Sequence, residues 1–142
     1  MDMNCELDGE WVQVSPGDHI VYSAWVWTSS NTASDTGYPC GAVLGIDAYT
    51  GSGRICELDG PNGLDSYSNT VQENWVPWGS GGWVQLTMNF TVQSSYLGDP
   101  YGSYPNQYAT PQGIIPWIGL EVRSSSEFGT MWIYGTTLEI IP

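Results

Sequence analysis

Trp83-Val84-Gln85-Leu86-Thr87-Met88-Asn89-Phe90-Thr91-Val92 alternates apolar and polar side chains over its whole length after the opening Trp. Successive side chains of a β-strand point to opposite faces, so Val84, Leu86, Met88, Phe90 and Val92 share one face. Gln85, Thr87, Asn89 and Thr91 share the other. A helix would scatter the same residues around its circumference and leave no continuous apolar stripe. The segment is predicted to be a strand with its apolar face on a core and its polar face in water.

The same period recurs on either side of it. Ile20 to Thr28 sets Ile20, Tyr22, Ala24 and Val26 against Val21, Ser23, Trp25 and Trp27. Trp11 to Val14 precedes it, separated by Ser15-Pro16-Gly17-Asp18, where Pro presets φ for a turn. Ala42 to Tyr49 and Arg54 to Leu58 read as a hairpin through Thr50-Gly51-Ser52-Gly53. Asp59 to Gly82 reads mostly as loop, and so does Gln93 to Gly113, which carries Tyr96, Tyr101, Tyr104 and Tyr108. Two closing strands fall near Ile114 to Arg123 and Met131 to Ile140. Seven or so strands with long connections predict a single all-β domain over residues 1–142, a two-sheet antiparallel sandwich.

Composition agrees. Eighteen Gly and nine Pro in 142 residues interrupt the chain too often for long helices. Eight Trp and nine Tyr outweigh two Phe, and Trp and Tyr suit half-buried, interfacial positions because each carries a polar handle. Fifteen Asp and Glu face two basic residues, Arg54 and Arg123, for a formal net charge of −13. Such a surface repels phosphate, which makes nucleic acid and anionic membranes poor partners. No apolar run approaches the ~20 residues that span a bilayer, so membrane insertion is not expected. Met1-Asp2-Met3-Asn4 has neither a basic nor an apolar leader. The expectation is an extracellular or secreted domain whose signal was removed, or a piece cut from a longer chain. Cys5, Cys40 and Cys56 allow three single pairings with one thiol over.

Val14-Ser15-Pro16-Gly17-Asp18-His19-Ile20-Val21-Tyr22-Ser23-Ala24-Trp25-Val26 resembles the strand-turn-strand phrase of jelly-roll carbohydrate-binding modules of the galactose-binding-like superfamily. Gly82 to Val92 is similar to their second signature, a Trp followed by a Phe-Thr-Val strand end. Trp132 to Ile140 looks like their last strand. About a third of the chain is touched, in the right order. The resemblance implies a jelly roll that binds a polysaccharide or glycan without cleaving it. Two departures stand out. Gly135, Thr136 and Thr137 occupy the region where these modules carry an Asp pair beside a structural calcium. Only ten residues precede the Trp11 strand, where they open with one or two further strands. An edge left open there invites a strand donated by a neighbouring copy.

Chemistry has few candidates. His19 is the only histidine, and no Ser or Cys sits in a nucleophile elbow. A glycosidase needs two carboxyl groups roughly 5 to 9 Å apart, for which Asp47 and Glu121 are the candidate pair. One His and three scattered Cys give no zinc spacing. Asp59, Asp65 and the carbonyls of the loop between them are oxygen ligands of the kind that hold structural Ca²⁺; no other cofactor is expected.

Binding is better supplied. Trp25 and Trp27 turn away from the core face of their strand, Asp47 and Tyr49 away from Leu44, Ile46 and Ala48, and Trp117, Glu121 and Arg123 away from Ile118, Leu120 and Val122. If these strands are neighbours, one face gathers indoles, a phenol, carboxylates and a guanidinium, the mixed lining of a sugar site. The plain alternative puts Trp25 and Trp27 beneath the long loops as a second core. A competing site is the loop set Trp75, Trp78, Tyr96, Tyr101, Tyr104 and Tyr108, whose surroundings have the composition of adaptable binding loops. Asn89-Phe90-Thr91 is an N-glycosylation sequon.

The expectation is therefore a non-catalytic extracellular carbohydrate-binding module. The first rival is a structural subunit of an extracellular filament, sheath or particle, a homo-oligomer closed through an open sheet edge. The second is a small glycosidase or lyase.

Overall fold

Alternation becomes packing in the computed structural model, which describes residues 3–29, 41–60, 62–63, 74–122 and 129–142. These form strands β1 (Met3–Asp8), β2 (Val12–Gln13), β3 (His19–Thr28), β4 (Gly41–Tyr49), β5 (Arg54–Leu58), β6 (Trp75–Pro77), β7 (Val84–Thr91), β8 (Tyr96–Leu97), β9 (Tyr108–Ala109), β10 (Gly113–Val122) and β11 (Met131–Ile141). No helix occurs among the described residues. One antiparallel sheet runs β1-β10-β4-β5, with β2 also on β10 and β6 also on β4. The second runs β11-β3-β7, and β8-β9 is a separate small hairpin.

Both sheets feed one core. β3 contributes Ile20, Tyr22, Ala24 and Val26, and β7 contributes Leu86, Met88 and Phe90. Facing them from the first sheet are Ala42, Leu44, Ile46 and Ala48 of β4, with Ile114 and Ile118 of β10. Along β7 the burial alternates residue by residue, as the opening pattern requires. Tyr22 crosses the core, and its hydroxyl donates to the Trp117 carbonyl at 3.1 Å, so its polar tip is satisfied where water is absent.

The turns obey their residues. In Ser15-Pro16-Gly17-Asp18, Gly17 has φ +96, the left-handed conformation that the third position of a type II turn requires. Asp18 Oδ2 accepts the Ser15 amide at 2.7 Å and closes the turn from the other side.

Three expectations need correction. Met3–Asp8 was not recognised as a strand, yet it pairs with β10 from Met3↔Val122 to Asp8↔Trp117. The N-terminal segment thus covers that side of β10 and is itself the end strand of its sheet. Trp75–Pro77, read as loop, pairs with β4. The segment Gln93 to Gly113 is also more ordered than a loop. It forms the β8-β9 hairpin and is pinned to β5 by Asp99 N–H to the Ile55 carbonyl (3.0 Å) and Ser103 N–H to the Arg54 carbonyl (2.9 Å).

Tyr22 and Tyr96 are 2% and 4% exposed, and burial pushes both phenols up to about 12. A raised folded-state pKa means that the fold favours the neutral phenol. The stability involved is fully present below the ordinary tyrosine pKa of 10.0 and is lost as pH rises from there through about 12. Each group then costs about 2–3 kcal/mol, since one pKa unit is worth about 1.4 kcal/mol. Phenolate absorbance followed with circular dichroism is expected to show Tyr22 and Tyr96 ionising only as the fold is lost. Ionisation of Tyr22 and Tyr96 with the fold intact would contradict the burial.

Candidate functional site

A strand that is half-buried on one face offers the other for display, and the outer face of the β11-β3-β7 sheet displays aromatic rings. Trp27 and Trp132 are register partners across β3 and β11, as are Trp25 and Tyr134 two pairs further along, on the same face. Trp83 stands just before β7, next to the Val26↔Val84 pair. Its ring meets Trp27 edge to face, with centroids 5.9 Å apart and planes at 84°. It meets Tyr134 at 5.7 Å and 70°. Such T-shaped geometry aligns the positive ring edge with the negative face and holds the cluster in place without a covering layer.

These rings are open to solvent: Trp27 is 39% exposed, Trp83 44%, Trp132 50% and Tyr134 62%. Single exposed apolar residues are ordinary, but four large rings gathered on one face, three of them in contact, are not. Trp27, Trp83 and Trp132 border a hollow of about 560 Å³, with Ser29, Gly79 and Gly81. That volume lies in the range of small-ligand sites. The loop forming the opposite rim is fastened to the end of β3. The Thr28 hydroxyl donates to the Pro77 carbonyl at 2.7 Å and accepts the Ser80 amide at 3.1 Å, while the Thr28 amide donates to Ser80 Oγ at 3.1 Å. Gly79 N–H adds a bond to the Ser29 carbonyl at 2.9 Å. The rim is therefore preorganised. Further along the same face the side chains become small and polar, with Ser23 and Thr137 hydroxyls 3.1 Å apart.

The residues expected on one face are divided between two. Trp25 and Trp27 face outward from the second sheet, whereas Asp47, Tyr49 and Trp117 belong to β4 and β10 of the first. The neighbouring strands that the single site required are absent, because β3 pairs with β7 and β11. Trp117 is 5% exposed and lies flat across Gly45, its partner on β4. Its indole N–H bonds the Asp47 carboxylate. Glu121 is held in β10 by pairing with Asn4 and Gly41. Asp47 opposes Ile115, so Asp47 and Glu121 are six positions apart along β4 and β10. That is about 20 Å at the usual strand rise, far outside glycosidase spacing. Arg123 lies outside the described residues.

What Asp47 does instead is bind Arg54. Arg54 Nε lies 3.0 Å from Asp47 Oδ2 and Nη1 lies 3.0 Å from Asp99 Oδ2, ion-pair contacts not aligned as hydrogen bonds. Nη2 donates to Asp47 Oδ1 and Glu57 Oε2, each at 3.3 Å. Burial raises the Asp47 carboxyl pKa, and it prevails over the opposing pull of Arg54 and the Trp117 N–H. This network braces β4, β5 and the segment after β8.

The tyrosine-rich loop does not present a common face either. Tyr96 is a core residue whose hydroxyl accepts the Gln93 amide at 3.2 Å. The Tyr104 hydroxyl sits 2.7 Å from Thr50 Oγ1 and 3.0 Å from Ser52 Oγ. Those two bonds lower the phenol's pKa. Tyr101 and Tyr108 are 83% and 73% exposed, while Trp75 and Trp78 are half-buried. Asp59 is 4% exposed and Asp65 lies outside the described residues. Among the described residues no group of three His, Cys, Asp or Glu side chains is placed to hold a metal ion.

Trp83, Trp132 and Tyr134 were not named as site residues from sequence. The signal was present in part: Trp83 keeps the outward register of Gln85 and Thr87, and Trp132 and Tyr134 alternate with Ile133. What periodicity omits is that the three lie beside Trp27. The chain matches no known family, no curated protein and no solved structure.

Proposed function

We propose that the protein is a non-catalytic, extracellular carbohydrate-binding module that holds a glycan against Trp27, Trp83 and Trp132. The observation that carries this reading is the exposed ring cluster bordering the hollow of about 560 Å³. Sugar rings have apolar C–H faces that stack on indole, and the small polar side chains beyond the hollow suit hydroxyl groups. Strand order supports the jelly-roll part of the reading. The long strands alternate between sheets, with β3 paired to β11 and β4 to β10, so that early and late strands nest as antiparallel pairs. The Asp47–Glu121 spacing argues against a hydrolase, and Asp47 is already committed to Arg54 and Trp117.

An assembly subunit is the second reading, because a contiguous apolar patch also suits a subunit interface. The place of β1 along β10 weighs against its strand-donation form. Calorimetric titration with soluble glucan and xylan oligosaccharides, alongside light scattering, separates the two. The glycan reading expects a monomer that binds at least one sugar, with affinity falling about tenfold or more in Trp27→Ala and Trp132→Ala, as for a buried aromatic anchor. Both residues are well exposed, so the fold is expected to survive. Polymers that ignore every sugar, or variants with unchanged affinity, would overturn it.

A further inference from the structure

We infer that the glycan seated in this hollow bears protonated amines, as a polymer of glucosamine does, rather than being neutral or uronic. The inference rests on the glycan reading and adds the chemical class of the ligand.

Three observations carry it. First, the chain has fifteen carboxylates and two basic residues. One of these, Arg54, is already surrounded by Asp47, Glu57 and Asp99 on the first sheet. A uronate or sulfate approaching such an acidic molecule meets net repulsion, whereas an ammonium is drawn in. Second, among the described residues the ionisable side chains on the outer face of the second sheet are His19, Glu139 and Tyr134. His19 and Glu139 lie at the end of β3 away from Trp27, and among the described residues no Arg borders the hollow. Third, the rings stand nearly perpendicular, 84° between Trp27 and Trp83 and 70° between Trp83 and Tyr134. A flat row of parallel rings would serve a neutral pyranose face best. Perpendicular rings turn their negative faces in more than one direction, so a compact cation beside them can meet two faces at once. Attraction of that kind is appreciable when the charge lies within about 6 Å of a ring centroid and is strongest for Trp.

The hollow's margin is consistent with this. The Thr28 hydroxyl proton is directed to Pro77 O, and Ser29 Oγ accepts the Thr130 amide at 2.8 Å. The hydrogen-bonding groups at the rim hold the rim itself together, and the rings are left to select the ligand.

The test compares β-1,4-linked oligomers of equal length made of glucosamine, N-acetylglucosamine and glucose, with an oligogalacturonate as the anionic probe. Tryptophan emission and calorimetry on the full chain, at mildly acidic pH where the amine is charged, give the affinities. The glucosamine oligomer is expected to bind at least tenfold tighter than the acetylated and neutral oligomers at low salt, and the oligogalacturonate not at all. Because a ring–cation contact is short, part of the preference is expected to persist at physiological ionic strength, where exposed charges are screened over about 8 Å. Trp27→Ala and Trp83→Ala leave the net charge unchanged and are expected to abolish the preference, while Trp27→Phe keeps most of it. Equal affinity for amine-bearing and neutral oligomers would overturn the inference and leave the glycan reading standing. Glucosamine binding undiminished in both Ala variants would also overturn it, because a polycation would then be adhering to an acidic surface at large. If no oligomer binds, the glycan reading itself falls.

Discussion

Arg54→Met is expected to cost about 3 kcal/mol of folding stability at neutral pH, and most of that cost is expected to disappear on acidification. The side chain of Arg54 is 27% exposed and holds three carboxylates whose own side chains are 20%, 30% and 1% exposed, for Asp47, Glu57 and Asp99 in turn. Met fills much of the same volume and makes none of the ion pairs. Removing one partner of a buried pair is costly because it strands the others, typically by 3–5 kcal/mol, and the partial exposure here argues for the lower end. The sign of the pH effect follows. In the variant the pull of Arg54 that opposes burial at the Asp47 carboxyl is gone, so burial raises that group's folded-state pKa further. A group with a raised folded pKa favours folding below its unfolded value and opposes it above. The deficit is therefore largest at neutral pH and shrinks as Asp47 takes up its proton. Urea melts of both proteins at pH 7 and near pH 4 measure this. A deficit independent of pH would mean that Arg54 acts through packing alone.

Gly45→Ala is expected to be as damaging, about 3 kcal/mol, for a steric reason. Trp117 and Gly45 are register partners on β10 and β4, and the indole lies over the glycine where a side chain would otherwise stand. A Cβ at Gly45 would overlap Trp117 Cζ2 and Cε2. Since the clash is with a rigid ring, the indole must swing away, losing its burial and its bond to Asp47. Overpacking costs about 1–3 kcal/mol, and displacement of a buried aromatic adds to it. Thermal melts check the stability, and the double variant Gly45→Ala, Trp117→Leu is expected to recover part of it. A stable Gly45→Ala protein with Trp117 emission unchanged would show that the ring has room to move.

Much of the architecture was legible because a half-buried strand writes its two faces into alternate residues. β7 and β3 are of this kind, and the core faces read from them are the faces that pack. Pairing is written less plainly. Whether β3 lies beside β4 or beside β11 depends on contacts between residues more than a hundred positions apart, as Ser23 and Thr137 are, and no local period encodes them. That is why Trp25 and Trp27 were grouped with Asp47, Tyr49 and Trp117, which occupy the opposite side of the molecule. β1 was missed for a related reason. Met3-Asn4-Cys5-Glu6-Leu7-Asp8 does alternate apolar and polar residues, but it is short and acidic, its Leu7 is 61% exposed, and its place in the sheet comes from pairing with β10, more than a hundred residues away. Tyr96 was assigned to a displayed loop because Gly, Ser and Pro surround it, although the pinning of that segment to β5 buries it.

Indole N–H resonances report each tryptophan separately, so a heteronuclear NMR titration with a glucosamine oligomer addresses the aromatic hollow directly. The expected result is movement of the Trp27, Trp83 and Trp132 signals, with Trp117, covered and bonded to Asp47, left in place. Spectra unchanged at those three rings, or shifted only at Trp11, Trp75 and Trp117 on the other sheet, would contradict the assignment of the site.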